Sequence, residues 1–208
     1  MADTPKASIV NGKIIASQVT DKVTSAIEKG PQSKVDAIIV HQTGGGSAKS
    51  ALESYADGAA GAHFLIDTDG TIYQTARVDQ KCWHIGKIRS RCYELKTCSA
   101  DELKDIKGIL FKKGKSYETR VKDLHDHESA KAYPDRYPTN DDSIGIELVA
   151  GFDDKTGTYA AVTVAQNSSL NWLVATLQSL LALSDTDIYR HPEVSYKQAT
   201  EAATAQWK

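Results

Sequence analysis

The chain has 208 residues and a formal net charge of −2, and 40% of its residues are hydrophobic. This length suits one domain with room for an elaboration, and it is long enough to bury a sizeable core. We expect no nucleic-acid partner, because nucleic-acid-binding proteins usually carry a basic surplus. We also expect no membrane insertion, since no apolar window approaches the roughly 18 residues that a membrane span requires.

The N-terminal residues and the cysteines bear on the compartment. Residues 1–13 lack the basic, apolar and small-residue segments of a secretory signal peptide, so we expect synthesis in the cytoplasm. The chain then either stays there or is exported by a signal-independent machinery. The three cysteines contain no CxxC pair. Cys92 and Cys98 can form a disulfide in an oxidising compartment, and free thiols are the alternative.

The N-terminal segment, residues 1–33, is predicted to pack on the core as a hairpin and a helix. The hairpin covers 8–16 around an Asn-Gly turn, a pair that tolerates positive φ. The helix is predicted for 17–30, where apolar residues recur at helical spacing and Gly30 is a plausible stop.

From residue 34 to 208, predicted strands and helices alternate. The predicted elements are a buried strand at 35–42, a helix at 47–61, a hairpin at 63–76, a buried strand at 143–151, a helix at 166–183, a short strand at 187–191 and a terminal helix at 197–207. Strands that alternate with helices, with one hairpin among them, predict an α/β (α+β) fold with a single mixed sheet flanked by helices.

A charge-rich segment at about 87–139 interrupts this alternation and is predicted to be an insertion laid over the core. It contains one helix signal, SADELKDIKGILFKKG, in which Ser99 and Glu102 can form a capping box and Gly114 can end the helix. The sequence His125-Asp126-His127, later in the same segment, resembles a set of metal ligands in composition. We interpret these residues as part of a solvated charged loop.

Two histidines lie at the ends of predicted strands. His41 ends the strand VDAIIVH and His191 ends DIYRH, and neighbouring strand ends are rigid and close enough to converge on one ion. A catalytic zinc typically takes three protein ligands. Glu201, in the first turn of the predicted terminal helix, is the third ligand that we expect. Taken singly, each histidine is more readily explained as a structural residue than as a ligand.

Glu147 is a carboxylate in the otherwise apolar strand SIGIELV. Burying an unpaired carboxylate is costly, but beside a metal it can take a proton from water and pass it to a leaving amine. Lys197 can stabilise the oxygen charge that develops in such a reaction. The alternatives are an ion pair between Glu147 and Arg136 and a solvated position for Lys197.

Five motifs in order resemble the zinc-dependent N-acetylmuramoyl-L-alanine amidases of the type-2 amidase family, relatives of phage T7 lysozyme and of peptidoglycan recognition proteins. The resemblance covers roughly 34–205 apart from the insertion. The motifs are HQT (41–43), GAHFLIDTDGTIYQ (61–74), WHIG (83–86), NDDSIGIELVAG (140–151) and RHPEVSYK (190–197).

The resemblance implies a mixed, mainly antiparallel sheet with zinc in a groove, and cleavage of the amide between the lactyl group of N-acetylmuramic acid and L-alanine. It implies Zn²⁺ ligation by His41 and His191, a catalytic base at Glu147 and a catalytic cation at Lys197. Thr43, Trp83 and His84 are expected to contact substrate. His63 is expected to support a ligand or to be structural.

One position departs from the family pattern. The family's third ligand, an Asp or Cys two residues after the lysine, corresponds to Ala199, which cannot bind metal. Glu201 lies ten residues after His191, which is the spacing of the aspartate in the recycling-type branch. Either Glu201 replaces that ligand or water completes a two-histidine site.

The resemblance leads to one principal hypothesis, a peptidoglycan amidase that uses zinc-activated water. The alternative from another class is a non-catalytic module that binds muropeptides. Three settings suit an enzyme: a cytosolic recycling amidase, a phage endolysin, or an antibacterial effector that acts in the periplasm and is neutralised by an immunity protein. The N-terminal elaboration and the insertion favour the effector.

Overall fold

The structure is a computed structural model that describes residues 7–58 and 60–208. The first six residues of the predicted N-terminal elaboration, and residue 59 of the predicted helix at 47–61, lie outside the described residues. The helices are α1 (Ala48–Ala56), α2 (Arg91–Leu95), α3 (Ala100–Leu110), α4 (Tyr117–Ser129), α5 (Val164–Leu181) and α6 (His191–Val194). The strands are β1 (Ser8–Val10), β2 (Lys13–Ile15), β3 (Val19–Asp21), β4 (Ala37–Gly44), β5 (Phe64–Ile66), β6 (Ile72–Gln74), β7 (Ser143–Asp153), β8 (Thr158–Tyr159) and β9 (Ile188–Arg190).

The central sheet has the order β3-β6-β5-β7-β4-β9, with β8 added to β7. The predicted mixed sheet with flanking helices is confirmed, but its pairing is mostly parallel, so the mainly antiparallel arrangement implied by the resemblance is wrong. Only β5–β6 and β7–β8 are antiparallel pairs within the described sheet. Parallel strands of one sheet need a crossover connection, and α5 supplies one between β7 and β9, which lie on either side of β4.

The main core lies between the sheet and α5. This helix starts with a capping box between Thr163 and Gln166, and its fully buried Leu170, Leu173 and Leu177 pack against the strands. Burying one such leucine stabilises the fold by about 1.5–3 kcal/mol. The packing fixes β4 and β7, the two strands that carry His41 and Glu147, against a rigid layer.

The N-terminal segment differs from its prediction in one half. The hairpin is confirmed, with β1 and β2 paired around a turn in which Asn11 has a φ of 50°. The helix predicted for 17–30 is wrong. β3 pairs in parallel with β6, and the N–H of Thr24 donates to the carbonyl of Thr75, so the exposed edge of β6 takes the backbone bonds that a helix would have used.

The insertion is helical over much of its length. The helix expected after Ser99 is confirmed as α3, and Ser99 Oγ accepts the Glu102 N–H at 3.2 Å, but α3 ends at Leu110 and not at Gly114. The loop predicted around His125 is wrong, because this residue lies on α4. Cys92, which lies on α2, forms a disulfide with Cys98, which follows this helix, and Cys82 is a buried free thiol.

The terminal segment at 197–207 consists of turns, so the helix predicted there is wrong. Its backbone is held by side chains from the sheet. Arg190 donates to the carbonyls of Ala202 and Ala205 at 2.9 Å each, and the Ala202 N–H donates to Gln42 Oε1 at 2.7 Å. None of the helices in the described part of the chain has the length and apolar character of a membrane span.

Candidate metal and active site

Three strands bring the strand-end residues together. In the β4–β9 pair Val40 lies opposite Arg190, so the following residues, His41 and His191, lie at the same edge of the sheet. In the β4–β7 pair His41 lies opposite Glu147. The juxtaposition therefore follows from the register of parallel neighbours, whose rigid ends present side chains side by side.

Glu201 completes a close group with the two histidines. His41 Nδ1 lies 2.8 Å from His191 Nδ1, which lies 2.8 Å from Glu201 Oε1, and His41 Nδ1 lies 3.5 Å from the same oxygen. All three residues are at most 4% exposed. Ala199, at the family's usual ligand position, is exposed. The hydrogen bonds of the Ala202 backbone to the side chains of Gln42 and Arg190 hold the preceding residue, Glu201, next to the two histidines.

These residues fit a cation. His191 Nε2–H donates to the carbonyl of Ile85 at 2.8 Å, which leaves the Nδ1 lone pair directed at Glu201. An imidazole lone pair and a carboxylate oxygen 2.8 Å apart repel each other unless positive charge lies between them. Tetrahedral zinc places such ligand atoms roughly 3.3 Å apart, and two imidazoles with one carboxylate form a donor set that catalytic zinc accepts.

Burial and charge set the protonation of the group. Burial lowers the pKa of His41 to about 3, and the neighbouring charge of His191 adds to the effect. Burial alone would raise the pKa of Glu201, but the adjacent imidazoles of His191 and His41 outweigh it and hold the value at about 2. At neutral pH the site therefore presents a carboxylate and a neutral His41.

Glu147 lies beside this group with a carboxyl that has a free oxygen. Burial raises the pKa of Glu147 to about 8, the charge of Glu201 raises it further, and Lys197 opposes both. Its Oε2 is buried and has no hydrogen-bond partner among the described residues. Arg136 pairs instead with Asp142 at 2.6 Å, so the structure does not show the alternative ion pair with Glu147. Lys197 is exposed after α6.

The three residues expected to contact substrate have different surroundings. Trp83 is 56% exposed, and the Lys29 ammonium lies 5.1 Å from its ring centroid. Thr43 Oγ1 donates to the carbonyl of Gly45 at 2.8 Å and accepts the N–H of Ala150, so it ties β4 to β7. His84 lies beside His41, with 3.0 Å between His84 Nδ1 and His41 Nε2.

His63 is fully buried and lies one ring away from the ligand group. Its Nδ1 accepts the N–H of Gly145 at 3.0 Å, and its Nε2–H donates to the carbonyl of Gln80 at 2.8 Å. Both ring nitrogens therefore bind backbone. Its ring centroid lies 5.8 Å from that of His84, and the His84 ring stands between His63 and the candidate ligand His41.

The structure also forms a group in the insertion that the sequence did not reveal. Glu102 of α3 meets His127 and Glu128 of α4, with 3.2 Å between His127 Nε2 and Glu102 Oε1. The Lys131 ammonium contacts both carboxylates and supplies a positive charge between them. The pairing of two helices creates this group, and neither helix alone contains a recognisable spacing.

Comparisons with known proteins identify the family of this chain. Residues 31–205 match the Amidase_2 family, described as N-acetylmuramoyl-L-alanine amidase. A solved structure titled as a selenomethionine derivative of AmpD is similar at 18% identity with a TM-score of 0.57, covering 96% of this chain and 94% of that one. No curated protein matches the chain.

Two further solved structures are similar. The N-acetylmuramoyl-L-alanine amidase LysC from Clostridium intestinale URNW has 16% identity and a TM-score of 0.48, with 90% of this chain and 91% of that one covered. AmpDh3 from Pseudomonas aeruginosa, in complex with anhydromuramic pentapeptide, has 19% identity and a TM-score of 0.49, with 77% and 51% covered. The family match spans most of the sequence and includes every candidate ligand, and the chain belongs to the Amidase_2 family of N-acetylmuramoyl-L-alanine amidases.

Proposed function

We propose that this chain is a zinc-dependent amidase that hydrolyses the bond between the lactyl group of N-acetylmuramic acid and L-alanine of the stem peptide. One observation carries the proposal: the group of His41, His191 and Glu201 lies beside Glu147, whose buried Oε2 has no partner among the described residues. A cation-binding donor set next to a carboxyl that is free to accept and return a proton is the combination that amide hydrolysis by activated water requires.

Each residue has a separate task in this proposal. When bound, zinc supplies Lewis acidity for the scissile carbonyl and for water. Glu147 Oε2 accepts the proton of the attacking water and then donates it to the leaving amine of L-alanine. In the zinc-free protein the pKa of Glu147 is raised to about 8, and the positive charge of a bound ion would lower it, so that the carboxylate could accept the proton near neutral pH and then return it.

Lys197 supplies positive charge at the open side of the site. Its ammonium lowers the pKa of Glu147, which supports a place for Lys197 near this carboxyl. In the proposal it stabilises the negative oxygen that forms as water adds to the carbonyl. His84 lies against His41, Trp83 precedes it in the chain and is exposed, and Thr43 bonds to the carbonyl of Gly45 in the glycine turn, so these three residues are the proposed substrate contacts.

The product of the reaction tests the proposal directly. Purified peptidoglycan is digested with the zinc-loaded protein, and the soluble products are analysed by mass spectrometry. We expect free stem peptides with an N-terminal alanine together with glycan that lacks peptides. Release of peptides cut at any other bond contradicts the proposed reaction, as does a failure to cleave both peptidoglycan and soluble anhydro-muropeptide.

Zinc content distinguishes the enzyme from the alternative, a module that binds muropeptides without cleaving them. We expect about one zinc per chain by plasma emission spectroscopy, and loss of hydrolysis when a chelator removes it. The place of Glu201 supports the enzyme, because its Oε1 lies 2.8 Å from His191 Nδ1 and offers a third ligand that the exposed Ala199 cannot supply. A protein that binds muropeptide equally well with and without metal, and never cleaves it, is a binding module.

For the biological role we propose an antibacterial effector that acts on the cell wall in the periplasm. The Cys92–Cys98 disulfide supports this setting, because such bonds persist in oxidising compartments and are rare in the cytosol. An immunity protein would neutralise the effector by filling the groove above His41. Intact sacculi and soluble anhydro-muropeptide are the discriminating substrates, since a recycling amidase ignores sacculi.

A further inference from the structure

A chain of side chains leads from His41 away from the ligand group and ends on backbone. His41 Nε2 lies 3.0 Å from His84 Nδ1, and His84 Nε2 lies 3.3 Å from Ser143 Oγ. Ser143 Oγ lies 2.6 Å from the carbonyl oxygen of Thr139 and donates to it. We call these three contacts the His84 relay.

The end of the His84 relay sets the direction of every hydrogen bond in it. A carbonyl oxygen only accepts, so the single hydroxyl proton of Ser143 is used there, and Ser143 Oγ accepts from His84 Nε2–H. A neutral imidazole with a proton on Nε2 has a bare Nδ1, which accepts from His41 Nε2–H. The proton of the neutral His41 ring is therefore on Nε2. Its Nδ1, which faces His191 and Glu201, carries no proton.

We propose that His84 and Ser143 are positioning residues that hold His41 in the tautomer with a bare Nδ1 before the ion binds. The inference rests on the proposed zinc site, but it concerns the proton on a ring and not the reaction. In the opposite tautomer His41 would direct an N–H at the ion position and would have to move that proton before it could bind. Partners that fix the tautomer of a metal-binding histidine raise metal affinity by roughly 10- to 100-fold.

The surroundings are shaped to hold the His84 ring. Gly145 on β7 lies against it, and a Cβ there would come within 2.8 Å of His84 Nδ1 and 3.1 Å of Ala62 Cβ. On the other side, Asn140 Oδ1 accepts the backbone N–H groups of His84 and Ile85 at 3.0 and 2.9 Å. The glycine of SIGIEL and the asparagine of NDD, two residues of the family-like motif, are thereby explained as supports of the relay.

Nitrogen-15 NMR of the imidazole rings in the zinc-free wild-type protein tests the tautomer without any variant. The measurement is made near pH 8, above the ordinary histidine pKa of about 6.5, so that neutral rings are observed. We expect the proton on Nε2 of both His41 and His84. A proton on Nδ1 of His41 overturns the proposal. This result does not depend on zinc binding or hydrolysis, so the proposed function can fail while the relay stands.

Zinc affinity, measured by competition with a chromophoric chelator, tests the consequence. His84→Leu cannot accept from His41, and we expect a loss of roughly 10- to 100-fold in affinity. His84→Asn places an oxygen where Nδ1 was, and we expect it to restore most of the affinity. Ser143→Ala is expected at the lower end of the same range. Ser90→Ala removes another buried hydroxyl, whose contact is with Cys92, and serves as the matched control.

The outcomes separate clearly. Equal zinc affinity in wild type, His84→Leu and Ser143→Ala overturns the proposal, as does an equal loss in His84→Leu and His84→Asn. If His84→Leu fails to fold, Ser143→Ala and the NMR tautomer decide. Should the wild type bind no zinc at all, the proposed function fails, and the tautomer of His41 still supports or overturns the relay.

Discussion

Glu147 combines burial with chemical availability. It lies opposite His41 in the β4–β7 register, and its Oε2 has no partner among the described residues. Most buried carboxylates are paired or hydrogen-bonded, because an unpaired charge in a poorly solvated site is costly. The raised pKa shows how the protein accommodates Glu147: the carboxyl holds its proton until about pH 8 when no metal is present.

Replacing this carboxyl tests its role as the base. We predict that Glu147→Gln keeps zinc at wild-type stoichiometry and lowers kcat by roughly 100- to 10,000-fold, because the amide cannot accept the proton of water. Metal content and release of N-terminal alanine are measured on the same preparation. Glu53→Gln, an exposed glutamate on α1, is the control. A variant that keeps wild-type turnover moves the base role to another residue.

The same group predicts a dependence of stability on pH. In the zinc-free folded protein the pKa of Glu147 is about 8 against an ordinary value of 4.5, so between these values the folded state binds more protons than the unfolded state. The contribution of Glu147 to the free energy of unfolding therefore falls as pH rises from 4.5 to about 8, and is constant above.

Glu147→Gln lacks this contribution. We expect its free energy of unfolding, minus that of the wild type, to increase across this interval when both are unfolded by urea with a chelator present. A difference that is constant with pH, or that decreases, contradicts the raised pKa.

Sequence reasoning could select His41 and His191 because each ends a predicted strand, and Glu147 because it interrupts an apolar run. Glu201 was selected by its spacing from His191, and the structure brings all four residues together. Their roles stay predictions. The resemblance placed His84 near the zinc, but its contact with His41 Nε2 is not visible in any local pattern, because it depends on a loop that Asn140 holds from 56 residues away.

At the scale of elements, sequence patterns predicted the structure correctly where the signal lies within one element, such as an apolar stripe, a tight turn or a helix cap. The α5 stripe, the β5–β6 hairpin and the Ser99 cap are such local signals. The patterns gave the wrong element where hydrogen bonds to another part of the fold determine the backbone conformation. Residues 17–30 follow the edge of β6, and residues 197–207 are held by Arg190 and Gln42, so tertiary hydrogen bonds replaced the helices that spacing favoured.

Helix α4 was missed for the opposite reason. Its buried face contains Val121, Leu124 and Glu128, which is too little apolar surface to form a recognisable stripe. Its partner α3 supplies the remaining contacts, including the charged group around Lys131. The parallel direction of most strand pairs could likewise not be predicted from local patterns, because it depends on the path of the chain between the strands.

The disulfide at α2 gives a prediction for this element. The bond closes a short loop between Cys92 and Cys98, and a cross-link of this length stabilises a fold by about 2 kcal/mol through the entropy of the unfolded chain. We expect the Cys92→Ser, Cys98→Ser double variant to lose about this amount in urea unfolding. Cys82→Ala, a buried free thiol, is compared under reducing and oxidising conditions. Wild-type protein that is equally stable with and without reductant contradicts the prediction.

Zinc is expected to stabilise the whole molecule, because the three candidate ligands lie on β4, α6 and the terminal segment. A ligand at 1,000 times its Kd adds about 4 kcal/mol to the free energy of unfolding, which for a chain of this size raises Tm by roughly 8–16 °C. Thermal unfolding with zinc and with chelator measures the shift.

Glu201→Ala is predicted to lose most of this shift, while His125→Ala, on α4, keeps it. A shift of the same size in both variants places the stabilising ion elsewhere.

The terminal turns have a consequence for engineering the protein. Two of the donor atoms belong to the rigid sheet edge, whereas Glu201 reaches them on a stretch without regular secondary structure, tethered through Ala202. Replacing Glu201 with cysteine or histidine would exchange a hard carboxylate ligand for a softer thiolate or imidazole, and no strand would need to be rebuilt. Selectivity among transition metals can therefore be redesigned at this single buried position without a change to the strands of the sheet.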